Sequence, residues 1–478
     1  MGNWSTLTAP FKRTNLWLRA ILFGLAIGAV GVLVSLPPII AQVEERYGLA
    51  YLFHRRGPQP PPSEVVIISI DRQSAQVLGL PPQAEKWPRR LHARVVDELK
   101  RQGAALIAFD MIFDEPRSPA DDSRLAEAMA RAGNVVLCEY LDRERLAVGN
   151  AAQGAFATVE RLVSPIPLLA EAAVGMGPFP LPKVPVRVSQ YWTFKTGAGD
   201  LPTLPVVAYH LFLREVFEDM GDLNGEPALA ASVSPTGMTT SFSGAGAGRI
   251  ENIIKALRRR WGTAPMAARA GPLEPIARMR SAHTGDPADT AALRYRDTLL
   301  DLYQGPDSRH LNFYGPPGSL KTLSYHKVLA AALESPPVRD LGVAGRAVFI
   351  GQSENLRLEQ VDGFYTVYSS SDGLDLSGVE IAASAFANLL EGNAPWPLGY
   401  PGQHLLLLFW GTLAGVACYR LRPIWALAVI GLLVSAYVTG AVALFTHTAL
   451  WLPVVVPLLL QVPLAFVGGM LLRLGRVG

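Results

Sequence analysis

Four long apolar stretches bracket a central segment in which shorter hydrophobic patterns alternate between strand and helix periods. The first, Ala20–Ala41 (AILFGLAIGAVGVLVSLPPIIA), is long enough to cross a bilayer. Three more follow at His404–Tyr419, Ile424–Phe445 and Leu450–Leu472. The joins between these three, Arg420-Leu421-Arg422-Pro423 and Thr446-His447-Thr448, are so short that consecutive helices must run antiparallel. In between, Glu64–Asp71 (EVVIISID) reads as a β-branched strand ending in a carboxylate, and Leu91–Gln102 as a helix closed by Gly103. Ala105–Phe113 (ALIAFDMIF) reads as a second strand, Ser123–Arg131 as a helix closed by Gly133, and Asn134–Tyr140 (NVVLCEY) as a third strand. Ala347–Ile350 reads as a further buried strand and Val379–Leu390 as a helix. This alternation predicts an α/β domain with a mixed, largely parallel sheet covered on both faces, carried by four transmembrane helices.

The apolar stretch at 20–41 is too long for the core of a cleaved leader and lacks a small-x-small site after it, so an uncleaved anchor is expected. Lys12, Arg13 and Arg19 precede this stretch, Arg420 and Arg422 separate the second and third, and Arg473 and Arg476 follow the fourth. The opposite ends carry Glu44, Glu45, His404 and His447. The positive-inside rule then places both termini in the cytoplasm and the large domain outside. The expected order is a cytoplasmic segment 1–19, a span 20–41, an extracytoplasmic domain 42–403, spans 404–419, 424–445 and 450–472, and a tail 473–478. Pro453, Pro457 and Pro463 fall in the last span, either as a bend that transmits motion or as the prolines that membrane helices tolerate. No Asp, Glu, Lys or Arg lies deep in the last three stretches, which argues against an ion or substrate pathway.

Composition agrees with the patterning. Mean hydropathy is +0.23 and charged residues make up 17%, against about 25% in average globular chains. The net charge of +3 is dispersed, so nucleic acid is not an expected partner. Cys138 and Cys418 are expected in different compartments, so no disulfide is expected. No Cys/His spacing points to a metal, and no cofactor is implied.

In parallel sheets ligands collect at the carboxyl ends of the strands. The candidates there are Asp71, Asp110, Asp114, Glu139 and Ser353, with Asp121 and Asp122 on a nearby loop. Such carboxylates suit a divalent cation or an amine-bearing ligand; equally, they cap helices and pair with Arg89 and Arg90. Asp110 interrupts an apolar strand and, if buried, requires a partner. Pro58, Pro60, Pro61 and Pro62 read as a stiff linker. Residues 220–305, rich in Gly, Ala, Pro, Ser and Thr (SFSGAGAG at Ser241–Gly248), read as an insertion. Within it, Ile250–Trp261 reads as an amphipathic basic helix, either solvated or touching anionic lipid or a partner.

The runs VVIISIDRQSAQVLG (Val65–Gly79), WPRR (Trp87–Arg90), AFDMIFDEP (Ala108–Pro116), Asp121-Asp122 and NVVL (Asn134–Leu137) lie in an order that is familiar. They continue in NFYGPPGSLKTLSY (Asn312–Tyr325), AVFIG (Ala347–Gly351) and SGVEIAASAFANLLEG (Ser377–Gly392). Together they resemble the type-two CHASE domain, the cyclase/histidine-kinase-associated sensory extracellular domain of bacteria. The resemblance covers about 45–150, 305–400 and the apolar stretches. It implies a sensor in the bacterial inner membrane, coupled to a cyclase or kinase. Two departures bear on the ligand pocket. Ala382-Ala383-Ser384 replace a histidine-alanine-asparagine run, and Pro180–Arg187 (PLPKVPVR) stands where an aspartate-glycine-arginine segment is usual.

Three function classes follow. The first is an extracytoplasmic sensor that binds an unknown ligand near Asp71, Asp110 and Asp114, acts as a homodimer or higher oligomer, and passes a signal through its spans by shifting the first against the second. Its cytoplasmic effector is not recognisable in this chain and is expected to dock on Arg420, Arg422, Arg473 and Arg476. The second is an assembly subunit that binds a partner protein through the same domain. The third, an enzyme, has least support: there is no nucleophile–base motif and no phosphate-binding loop, no catalytic residue is assigned, and His92 is the one histidine near the carboxylate-rich motifs.

Overall fold

The computed structural model describes residues 9–147, 156–182, 186–219, 250–262, 294–295, 298–299, 301–333, 340–354, 363–369 and 375–474. Two compact units emerge, Met1–Gly57 with Pro395–Gly478, and Pro58–Ala394.

The larger unit is built on β1 (Val65–Ile70), α1 (Arg72–Leu78), α2 (Arg89–Arg101), β2 (Leu106–Asp110), α3 (Pro119–Ala132) and β3 (Val135–Ala147). There follow β4 (Phe156–Val163), β5 (Gly175–Pro178), α4 (Leu204–Asp219), α5 (Ile250–Gly262), β6 (Thr322–Ser324), α6 (Tyr325–Leu333), β7 (Ala347–Gln352) and α7 (Gly378–Glu391). The sheet runs β6-β1-β7-β2-β3, with β5 beside β3; every pair is parallel except the β3–β4 hairpin, which extends from the far half of β3. All six residues of β1 are buried because helices cover both faces. Val66, Ile68, Ile107 and Val348 join a core under α2, α3 and α6. Val65, Ile67, Ala108 and Phe349 join a second core under α4, α5 and α7, where Phe386 packs on Phe349 at 5.2 Å. Gly133 closes α3 in the left-handed region, at φ 66°, where a glycine carries no Cβ penalty.

The motif NFYGPPG is structural. Asn388 of α7 accepts from the Asn312 N–H (2.8 Å) and donates to its carbonyl (3.0 Å). Tyr314 donates to Glu391 (2.6 Å), and Glu380 accepts from the Gly318 N–H (2.6 Å) while completing a capping box with Ser377.

Several expectations are corrected. The proline run at 58–62 forms no helix or strand, and within it the Gln59 N–H donates to the Tyr314 carbonyl at 2.7 Å. The 220–305 insertion includes core: Tyr295, Leu299, Leu302 and Tyr303 are buried. The basic helix α5 packs one face on the domain and leaves Asn252, Ala256 and Arg259 exposed on the other. Its Ile254 is fully buried, and Arg258 stacks over Phe194 at 3.9 Å and pairs with Asp307. Residues 220–249, with Ser241–Gly248, and 263–293 lie outside the described residues.

In the smaller unit the first helix is Ala9–Ser35, not 20–41: it breaks at Leu36-Pro37 and resumes as Pro38–Val43, because proline lacks a donor and disfavours helix in the residue before it. Lys12, Arg13 and Arg19 are therefore within that helix. Three helices are long and apolar enough to cross a membrane among the described residues: Leu16–Ser35, Pro423–Thr448 and Val456–Leu474. The expected span 404–419 forms a 21-residue helix, Tyr400–Arg420, but opens on the polar run Tyr-Pro-Gly-Gln-His and does not join those three. The expected span 450–472 begins later, at Val456, because Leu450–Trp451 pairs as a short strand with Trp396–Pro397. Pro453 precedes this helix, Pro457 opens it within a wide π-helical stretch, Val456–Gln461, and Pro463 follows.

Glycines join Leu16–Ser35 to Tyr400–Arg420. A Cβ on Gly411 would lie 2.5 Å from the Gly28 Cα, and one on Gly415 would lie 2.5 Å from the Gly24 Cα, so the backbones touch. Gln461, fully buried, donates to the Leu407 (2.9 Å) and Ile27 (3.3 Å) carbonyls. At one end Arg473 donates to the Cys418 (3.0 Å) and Tyr419 (3.1 Å) carbonyls, and Arg420 stacks on Trp17 at 4.3 Å. Elsewhere Glu44, 3% exposed, accepts from the Val454, Val455 and Val456 N–H groups at 2.9–3.0 Å. A carboxylate there satisfies the orphan donors of a helix N-terminus.

Candidate functional site

The carboxyl ends of β2 and β5 and the middle of β3 open into a cleft of about 960 Å³. Its position follows from local sequence. Asp110 closes β2 opposite Gly351, and a Cβ on Gly351 would lie 2.7 Å from the Val379 Cβ and 3.3 Å from the Asp110 Cβ. The glycine thus lets α7 start close against the sheet beside the aspartate. Cys138 and Glu139 follow on β3, and the chain leaving β5 turns through Phe179-Pro180-Leu181-Pro182 to form one wall. The opposite wall is Gln190–Trp192, which pairs antiparallel with Ser308–His310. Arg143, Arg187 and Phe364 complete the surface.

The electrostatics are set by burial. Glu139, 5% exposed, accepts from the Ser164 hydroxyl at 2.6 Å, and burial pushes its carboxyl up. Burial, then the neighbouring Asp110 charge, pushes the Cys138 thiol well up, so that thiol is not a nucleophile at neutral pH. Glu251 of α5 accepts from the Met176 N–H of β5, and burial pushes its carboxyl up to about 8. Arg143 pairs with Glu160 at 3.1 Å, and Arg187 stands over the Tyr365 ring at 5.1 Å.

Of the eight predicted ligand residues, the structure brings only Asp110 to this cleft; Glu139, expected at a strand end, also lines it but stands within β3, which runs on to Ala147. Asp71 caps α1, accepting from the Ser74 N–H (2.6 Å) and the Ser69 hydroxyl (3.1 Å). Arg89 and Asp122 form a buried pair at 2.9 Å, with Arg89 also donating to the Glu115 carbonyl (2.7 Å) and Asp122 accepting from the Arg117 N–H (3.0 Å). Arg90 pairs with Asp121 at 2.8 Å. These pairs tie the start of α2 to the start of α3. Asp114 is exposed, 3.5 Å from the Tyr140 hydroxyl, and Ser353 is buried with its N–H directed at the Ile70 carbonyl (3.4 Å). His92 is a core residue, 1% exposed, hydrogen-bonded through Nδ1 to the Tyr325 hydroxyl (2.9 Å).

The aromatic and basic parts of the wall lie in short or patternless segments that periodicity does not mark. One sign was present: the unusual segment Pro180–Arg187 supplies Pro180, Leu181, Pro182, Val186 and Arg187 to the cleft. The other departure does not reach it, since Ala382, Ala383 and Ser384 are buried within α7.

A three-layer α/β domain with a ligand-sized cleft, in a chain with three to four apolar helices of membrane-spanning length, defines the class: a large α/β domain joined to helices that fit a membrane. The family description "CHASE2 domain" matches residues 24–417, and the chain belongs to this family of sensory domains. That match begins inside the first helix and ends inside Tyr400–Arg420. No curated protein and no solved structure matches the chain.

Proposed function

We propose that this protein is an extracytoplasmic sensor in a cell membrane, binding a small ligand in the strand-end cleft and passing the event through its helices to a cytoplasmic effector. The observation that carries the reading is the cleft, because a concave site of this size with apolar walls and a few convergent charges is the usual form of a ligand site. Family membership supports the sensory role. Orientation rests on Arg420, Arg473 and Trp17 gathering at one end of the helical unit, the end expected in the cytoplasm. Four helices then cross, with Tyr400–Arg420 held by its glycine contacts to the first. Because those contacts would be lost if the two helices slid past each other, they move as one body, and Pro423–Thr448, the least buried of the three long apolar helices, is the element against which they shift. Two of the four arginines proposed for effector docking, Arg420 and Arg473, already contact the helices, Arg420 over Trp17 and Arg473 at the Cys418 and Tyr419 carbonyls, and Arg422 stands beside them in the same join. We read the domain as a binder rather than an enzyme, because no histidine lines the cleft among the described residues and burial holds its thiol protonated. Thermal unfolding of the full chain in detergent against a panel of metabolites and ions tests the reading. A saturable rise in melting temperature is expected for at least one chemical class; no rise for any class contradicts it.

A further inference from the structure

We propose that α5 is a proton-controlled latch: it grips the edge strand β5 while Glu251 carries a proton and lets go when Glu251 is charged, loosening the cleft wall that follows β5. Among the described residues β5 pairs only with β3, and its Met176 N–H donates to the Glu251 carboxyl. An edge strand leaves donors that need an acceptor from elsewhere, and here a helix side chain supplies one. The same end of α5 is seated by Ile250, whose Cγ2 lies 3.0 Å from where a Cβ on Gly175 would stand, and Ile254, one turn on, is fully buried. The other Glu251 oxygen, Oε2, is buried with no hydrogen-bond partner. A neutral carboxyl tolerates that place far better than a carboxylate, which would be a buried charge held by one hydrogen bond.

Burial pushes the Glu251 carboxyl up to about 8, against the Met176 bond, which favours the charged form. Two charged groups act on it: Glu139 of β3 raises it further, and Lys255, one turn along α5, lowers it. The other elements around it add no charge there. β5 is Gly-Met-Gly-Pro, and α4 turns Val207 and Leu211 to this point and His210 to the Tyr303 hydroxyl. Arg258, two turns along α5, is paired with Asp200 and Asp307. Released, Glu251 returns to an ordinary 4.5; docked, it keeps its proton up to about 8. Docking is therefore strongest below pH 4.5 and weakens about tenfold for each pH unit up to about 8. The latch meets the cleft twice, because Glu139 lines it and Phe179 of its wall follows directly on β5. Only this last link rests on the cleft being the ligand site; the latch itself does not.

Hydrogen exchange of the full chain in detergent, read by mass spectrometry between about pH 5 and about pH 8, tests the latch. Rates are expressed as protection factors, so that the pH dependence of free amide exchange divides out. In wild type, protection in peptides carrying Met176 and residues 250–259 should fall about tenfold per pH unit. It should also lie below that of α2 at every pH, since local release needs less free energy than unfolding. Glu251→Gln keeps the acceptor and cannot be charged, so both peptides should stay protected to the same degree throughout. Glu251→Ala lacks the acceptor, so their protection should be low and equally flat. A flat wild-type profile overturns the latch, as does a slope that survives Glu251→Gln. Protection equal to that of α2 at every pH overturns local release, because exchange would then pass through unfolding of the whole domain. If residues 250–259 respond while the Met176 peptide does not, α5 does not hold β5 and the latch is overturned as well. None of these outcomes decides whether the cleft binds a ligand, which the melting-temperature panel tests separately.

Discussion

Arg89 and Asp122 are both nearly sealed from water, and their pair joins the first turns of α2 and α3. Removing one partner leaves a buried charge alone, so Arg89→Met or Asp122→Leu should cost about 3–5 kcal/mol in thermal or denaturant unfolding, and the double substitution should recover most of it. His92 and His210, both fully enclosed, are held neutral by burial, pushed down to about 3 and about 4 from an ordinary 6.5. In that window the unfolded chain binds protons that the folded chain does not, so these groups remove stability as pH falls below about 6.5. Glu251 acts in the other direction. With its carboxyl at about 8 rather than 4.5, the folded form holds a proton that the unfolded form releases, and stability declines as pH rises from about 4.5 to 8. Glu251→Gln should flatten that alkaline limb, and His92→Gln should flatten the acid one; melting temperature against pH checks both. The same residues show what a sequence discloses about a site. Asp110 was legible because a charge ending an apolar strand stands out. Asp71, Asp121 and Asp122 look the same in one dimension, yet they cap a helix or pair with arginines away from the cleft that Asp110 lines, and only the fold separates those placements.

Elements with enough length declared themselves. β1, β2 and the helices α2, α3 and α7 stand within a few residues of where hydrophobic period and closing glycines put them, whereas β3 starts as expected but runs past Tyr140 to Ala147 in its hairpin with β4. Shorter ones did not: β6 is three residues long, too short for a period, and it was read as part of a motif although it forms the sheet edge beside β1. The helix ends in the membrane unit were also misplaced, because a window of hydropathy does not register the break at Leu36-Pro37 or the strand pairing at Leu450–Trp451. The helical unit offers a clean comparison. Gly411→Leu forces a side chain into the Gly28 backbone and should lower the melting temperature of the full chain in detergent, whereas Gly440→Ala, with open space around it, should leave it unchanged. In the α/β unit, Phe386 fills the second core against Phe349 and Phe212, so Phe386→Ala should cost about 3–5 kcal/mol.

For the molecule as a whole, the proposed function requires the α/β unit to lie outside the membrane with its cleft open to a ligand. The wall residue Val186 is 54% exposed, and both native cysteines are free and buried. A Val186→Cys chain in sealed spheroplasts, treated with a membrane-impermeant maleimide, therefore reports which side the cleft faces. With the cleft outside, modification reaches the same extent before and after the membrane is opened. Modification that appears only once the membrane is opened would place the cleft in the cytoplasm and contradict the sensor reading.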